Sequence, residues 1–181
     1  FDCLEIHMAH GYLLHEFFSP ISNFRKDKYG GNLTNRARLL IEIAKIIRNI
    51  WPKDRILGAR ITGTDHMKKG ISIADSKFLA KKLEEIGFDY ICISSGGIIS
   101  KTKLKSFRGF RTNIASKIKK TLKIKIRTSG MIDDLNFIEK ILKQKKCDFV
   151  AVGRKFLLDP QWLQKTINGK KFLIPNQYKR G

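Results

Sequence analysis

Cysteine is scarce in this chain. The three residues Cys3, Cys92 and Cys147 of 181 sit singly in apolar stretches with no CxxC spacing. That excludes a disulfide frame and a cysteine zinc site, and leaves buried, reduced thiols. Long hydrophobic runs are missing too: "LLIEIAKII" and "YICI" fall short of the roughly 20 apolar residues a bilayer helix needs. No charged n-region followed by an apolar h-region opens the chain, so neither a membrane partner nor a secretory signal is expected. A cytoplasmic protein is the simplest expectation. Acidic residues are outnumbered, 16 against 37 Lys and Arg, for a formal net charge of +21. Such a surface invites nucleic acid through counterion release. The lysines, however, are spread over polar helix faces in "KKLEEIG", "SKIKKTLKIK" and "EKILKQKK" rather than gathered in one block, so no nucleic-acid partner is expected. Linkers and low-complexity segments are absent as well, and residues 1–181 read as a single domain large enough for a real core.

What is present is an alternation. Five short β-branched or aromatic runs, Asp2–His7, Ile56–Thr62, Asp89–Ser94, Ile124–Ser129 and Asp148–Gly153, are separated by stretches of helical period. Leu79, Leu83 and Ile86 share one face, as do Ile114, Ile118 and Leu122, and Leu135, Ile138 and Leu142. Asp159 followed by Pro160 predicts a cap and first position for the last helix. Near-continuous apolar strands alternating with helices predict an α/β fold with a parallel sheet. A doubly wound sheet would usually carry a glycine-rich GxGxxG turn after its first strand, and "HMAHGYLLHEF" is not one. A (β/α)8 TIM barrel instead builds its site on the loops after the strands, often with a phosphate site after strands seven and eight. The last two runs lead into "TSGMIDD" and "GRKFLLDP", where glycine lets backbone amides approach a phosphate and Arg154 adds charge. If these are strands seven and eight, the first run is strand four. The chain, which begins at Phe1 directly on a strand, is then expected to be an incomplete barrel containing units 4–8.

Under that reading His7, Arg60, Ser94, Gly130 and Gly153 fall at carboxyl-terminal strand ends, the face where barrel sites are built. His7 and His10, three apart, could aim two imidazole donors at one oxygen, with Tyr12 as a proton donor and Arg60 stabilising negative charge on a cofactor ring. Plainer readings stand beside these. His15 and Glu16 add possible metal ligands, yet HxxH lacks the i, i+4 spacing of helical zinc sites and no third ligand is evident, so no metal is expected. Arg60 could form a structural ion pair with Asp65 or Glu5. Gly130 and Gly153 could serve turn geometry alone, and Arg154 could be a surface charge.

The run "EIHMAHGYLLHEFFSPISNFRKDKYGGNLTNRARLL", with "ARITGTD", "ISSGG", "TSGMIDD", "DFVAVGRKFLLDP" and "PNQYKRG" in order, resembles the Old Yellow Enzyme family, in its xenobiotic-reductase or NADPH dehydrogenase branch. The resemblance implies a (β/α)8 flavoenzyme that binds FMN and takes NAD(P)H as reductant, reducing an activated alkene such as an enone by ping-pong hydride transfer. By matching positions, His7 and His10 hydrogen-bond the substrate carbonyl and lie against the flavin. Tyr12 binds substrate and supplies a proton, and Arg60 meets the pyrimidine end of the flavin. Gly130, Met131, Gly153 and Arg154 hold the phosphate, and Arg180 reaches a neighbouring subunit's site in a homo-oligomer. The absence of an iron–sulfur cysteine cluster sets the chain apart from larger multidomain relatives. Two alternatives remain open: a 2,4-dienoyl-CoA reductase-like activity in the same fold, and a non-catalytic barrel remnant.

Overall fold

The computed structural model describes residues 1–99 and 106–170. Five parallel strands form one sheet: β1 (Cys3–Met8), β2 (Ile56–Thr62), β3 (Tyr90–Ser94), β4 (Lys125–Thr128) and β5 (Phe149–Val150). Their order in space is their order in sequence, β1-β2-β3-β4-β5. A doubly wound sheet reverses direction part-way, whereas this one runs in a single direction across its five described strands, as successive units of a TIM barrel do. Helices α1 (Leu13–Phe18), α2 (Leu33–Ile50), α3 (Ile73–Ile86), α4 (Thr112–Lys119) and α5 (Leu135–Lys143) fill the crossovers, and α6 (Arg154–Leu158) and α7 (Trp162–Ile167) follow the last strand.

Side-chain alternation explains the layering. Ile6 and Met8, Leu57, Ala59 and Ile61, Ile91 and Ile93, and Ile126 all join one buried cluster with Leu40, Ala44, Leu79, Leu83, Ala115 and Ile118 of the helices. Each fully buried Leu or Ile there contributes on the order of 1.5–3 kcal/mol. The helices therefore cover one face of the sheet. On the opposite face lie Glu5 and His7, Gly58 and Arg60, Tyr90, Cys92 and Ser94, and Arg127, brought side by side by the registers Glu5↔Gly58, His7↔Arg60, Arg60↔Cys92 and Cys92↔Arg127.

That second face is polar, and its partners are specific. The Tyr90 hydroxyl donates to Glu5 Oε2 at 2.8 Å, Arg127 pairs with the same carboxylate, and the Arg127 guanidinium lies 5.0 Å from the Tyr90 ring centroid. Gly58 permits this crossing, because a Cβ there would stand 2.2 Å from the Tyr90 ring.

The helix ends carry residues suited to them. Asn32 caps α2, Ser72 and Asp75 form a reciprocal capping box on α3, and Gly87 ends α3 at φ 97°. Three expectations are corrected. The last strand is Phe149–Val150 rather than Asp148–Gly153. Its next residues, Ala151 and Val152, turn toward the loop, with Val152 packing on the small cluster of Ile132, Ile141 and Cys147. Pro160 does not open the final helix: Asp159 Oδ1 accepts from Gln161 N at 2.9 Å, making a turn first, and α7 begins at Trp162. Finally, neither acidic partner suggested for Arg60 pairs with it, since Glu5 binds Arg127 and Asp65 binds His15.

Candidate active site

At the carboxyl end of β1 the chain makes a tight turn that gathers three rings. The His7 ring centroid lies 5.2 Å from that of His10 and 5.3 Å from that of Tyr12. His10 adopts φ 61° and Gly11 φ 74°. A left-handed histidine is a strained choice, and such outliers gather where geometry serves function. His66 and Met131, also at positive φ, lie in the loops after β2 and β4. The turn is braced from the β3 side as well. A Cβ on Gly11 would come 2.3 Å from the Gly97 carbonyl oxygen, and one on Gly97 would come 2.8 Å from His10 Cα, so the two loops meet backbone to backbone.

A buried network sets this turn from below. Gly11 N–H donates to His15 Nδ1 at 2.8 Å, which assigns the proton to Nε2, and Nε2 donates to Asp65 Oδ1 at 2.8 Å. Asp65 Oδ2 accepts from Ser19 Oγ and from Ile71 N, each at 2.7 Å. His15 and Asp65 are fully buried. Burial alone would raise the Asp65 pKa, but hydrogen bonds from His15, Ile71 and Ser19 outweigh it and hold the carboxyl below its ordinary value. His15 is thus a brace for the His10–Gly11 turn. Among the described residues no group of three or more His, Cys, Asp or Glu could hold a metal ion.

The two exposed-side histidines are electrostatically neutral donors or acceptors at physiological pH. Burial and the nearby Arg60 charge lower the His7 pKa. Burial, Arg60, His7 and Arg111 push His10 down to about 4. The ring of His10 is further fixed by a short hydrogen bond between Nε2 and Ser94 Oγ, leaving Nδ1 for a ligand.

Beside this trio a cleft of about 540 Å³ is lined by Arg60, Arg111, Gly130, Met131, Gly153 and Arg154, among others. Every described residue expected to contact the cofactor therefore falls either in this cleft or in the adjoining ring cluster, and Arg60 sits beside His7 in the sheet register. Arg180 lies outside the described residues. Arg60 Nε is buried with no hydrogen-bond partner, an orphan donor that costs on the order of 1–3 kcal/mol unless a ligand meets it.

A family model described as the NADH:flavin oxidoreductase / NADH oxidase family matches residues 1–171. The chain belongs to this family. A relative in it, the NADPH dehydrogenase of Bacillus subtilis (strain 168), is 39% identical over 184 residues, covering 100% of this chain and 53% of the relative. The chain thus spans about half the length of the curated relatives it matches. A solved structure of a 2-naphthoyl-CoA reductase complex superposes with a TM-score of 0.86 at 29% identity, over 93% of this chain and 26% of that one. An Old Yellow Enzyme homologue from Zymomonas mobilis gives 0.77 at 21% identity, over 96% and 48%, and shows the fold alone.

The residues present fit the family's FMN. Arg60, whose Nε has no partner, lines a cleft that also carries Arg154, and Gly153 leaves its side of the cleft open, with nothing within 4 Å of where a Cβ would be. Met131 holds φ 50° directly after Gly130 at φ 118°, a turn that a nearby anion can repay through backbone amides. One residue of this region, Arg111, carries no local signal in the sequence beyond an arginine set beside Phe110 in "GFRTNI", and neither the Ser94–His10 bond nor the Asp65–His15 bond is visible there.

Proposed function

We propose that the protein is an FMN-dependent NAD(P)H oxidoreductase of the ene-reductase type, acting on activated alkenes such as enones. The observation that carries this reading is the ring cluster of His7, His10 and Tyr12 at the end of β1, beside a cleft with an unsatisfied arginine donor. When bound, FMN supplies the hydride chemistry. His7 and His10, held neutral by burial and by Arg60, present imidazole N–H groups that polarise a substrate carbonyl without trapping an anion in the ground state. The Tyr12 hydroxyl, on a side chain 64% exposed, stands at the mouth to deliver a proton. Arg60 offers its buried Nε toward negative charge at the cofactor ring, and Gly130, Met131, Gly153 and Arg154 cradle the phosphate.

The same reading takes the five βα units as units 4–8 of a barrel, with the polar inner face of the sheet and the edges at β1 and β5 covered by the remaining units, and takes the full assembly as a homo-oligomer. Three free cysteines suit the cytoplasm, where NAD(P)H is also available. Among the described residues no helix is long and apolar enough to cross a membrane.

The test is the double substitution His7→Ala with His10→Ala. Affinity for a carbonyl or phenolate ligand and the rate of enone reduction should fall by about tenfold or more, while anchoring of the FMN phosphate is largely spared. Enone turnover at the wild-type rate would remove the assigned role of the pair. A second reading, reduction of an unsaturated acyl-CoA thioester, is favoured by the superposition on 2-naphthoyl-CoA reductase and by the net charge of +21. Turnover of a CoA thioester but not of the matching free enone would decide for it, and failure to bind FMN at all would decide for a non-catalytic barrel remnant.

A further inference from the structure

Arg111, an arginine of the cleft, has no part in the reading above. Arg111 follows the β3 loop and is tied at its head: Nε donates to Ser95 Oγ at 3.0 Å and Nη2 to the Ser95 carbonyl at 3.3 Å. Its guanidinium carbon lies 4.3 Å from the Phe110 ring centroid. Gly130 makes room for this stack, since a Cβ there would stand 2.8 Å from the Phe110 ring and 3.5 Å from Arg111 Cγ. The guanidinium is therefore pre-set in one orientation, and little side-chain entropy remains to be lost on binding.

What it faces is more informative than what holds it. Arg60 and Arg111 line the same cleft, and among the described residues neither makes an ion pair with a carboxylate. Asp133, the acidic residue of the cleft lining, is taken by Arg108 Nε at 3.1 Å. Burial and the Arg60 charge pull the Arg111 pKa down to about 10, which leaves it charged at neutral pH. Two like charges partly withdrawn from water, without a counter-charge, cost stability until an anion arrives. The phosphate end of the cleft has its own grip in Gly130, Met131, Gly153 and Arg154. The Arg111 head is held instead at Ser95, next to the Ser94 that bonds His10, on the histidine and Arg60 side.

We propose that Arg111 is a second guanidinium for the cofactor ring, acting with Arg60 to stabilise the negative charge that FMN carries once reduced. This rests on the FMN reading above. Arg111 should then favour the reduced cofactor over the oxidised one and raise its midpoint potential, because charge stabilised only in the product of reduction shifts that equilibrium.

The experiment measures oxidised-FMN affinity and the midpoint potential of bound FMN in the wild-type protein, Arg111→Gln, Arg111→Lys and, as a control on the following helix, the exposed Lys117→Gln. In Arg111→Gln, oxidised FMN should bind within about threefold of wild type while reduced FMN loses about tenfold, the scale of one partly buried charge. For a two-electron couple a tenfold change lowers the potential by about 30 mV. Arg111→Lys should fall between, since the charge stays but the fork and the stack go, and Lys117→Gln should match wild type. An unchanged potential in FMN-loaded Arg111→Gln overturns the proposal, as does an equal loss for both oxidation states. Should Arg111→Gln fail to fold, Arg111→Lys and Ser95→Ala, which keeps the charge but removes the side-chain half of its tether, decide the matter: wild-type potentials in both overturn it. A wild-type protein that binds no FMN defeats the functional reading itself, and this proposal with it.

Discussion

Replacing Asp65 by asparagine tests whether the buried network truly sets the active-site turn. The substitution changes almost no volume, so its cost must come from hydrogen-bond direction. If the new amide oxygen keeps Ser19 Oγ and Ile71 N as donors, its NH2 group faces His15 Nε2, which is itself a donor. His15 can yield only by moving its proton to Nδ1, and that atom already receives the Gly11 N–H. At least one buried donor is left without an acceptor in either arrangement. A donor stranded in this way costs about 1–3 kcal/mol, and two bonds to a carboxylate become weaker bonds to an amide, for a total of about 2–4 kcal/mol. Asp65→Ala, which strands three donors, should cost at least as much, about 3–5 kcal/mol. Urea unfolding gives the energies, and amide exchange at Gly11 should accelerate in Asp65→Asn, placing the loss at the turn. The pH dependence has a fixed sign. The folded Asp65 pKa lies below its ordinary 3.8, so its contribution is complete well above that value and disappears as pH falls through the lower folded pKa. An Asp65→Asn protein within about 0.5 kcal/mol of wild type, with Gly11 still protected, would refute the reasoning.

Two further expectations follow from the same geometry. His10 should titrate in the folded protein near pH 4 by NMR; since its ordinary value is 6.5, stability should decline as pH falls from 6.5 toward 4, where the unfolded chain takes up a proton that the folded one refuses. A titration midpoint near 6.5 would show that the ring is neither buried nor close to Arg60. Gly58→Ala should cost about 1–3 kcal/mol, because its Cβ would meet the Tyr90 ring at 2.2 Å and displace the hydroxyl from Glu5. Thermal unfolding equal to wild type would mean that Tyr90 has another place to go.

The strands and the site-bearing loops were legible because both follow short-range rules. Short β-branched and aromatic runs between stretches of helical period marked all five strands, and the unusual residues His7, Arg60, Gly130 and Gly153 stood at or just past the ends of those runs. Partner choice was not legible. Whether Asp65 meets Arg60 or His15 depends on how the loop after β2 folds back under α1, a separation of 50 residues that no local pattern encodes. The shortening of β5 has a similar origin, since Val150 is the last residue to find a ladder partner, opposite Thr128, before the chain turns to pack Val152 on Ile132 and Ile141. Arg111 was hidden because its value comes from sharing a cleft with Arg60, 51 positions earlier by number.

The meeting of Gly11 and Gly97 has a bearing on how such a pocket can diversify. With a carbonyl of one loop filling the space where the other would place a side chain, the two segments cannot drift independently: widening one rim carries the other with it. A lineage or a designer altering acceptor size is therefore steered toward positions such as Tyr12, exposed and free of this contact, where substitution reshapes the entrance without turning the histidine that the interlocked backbones hold.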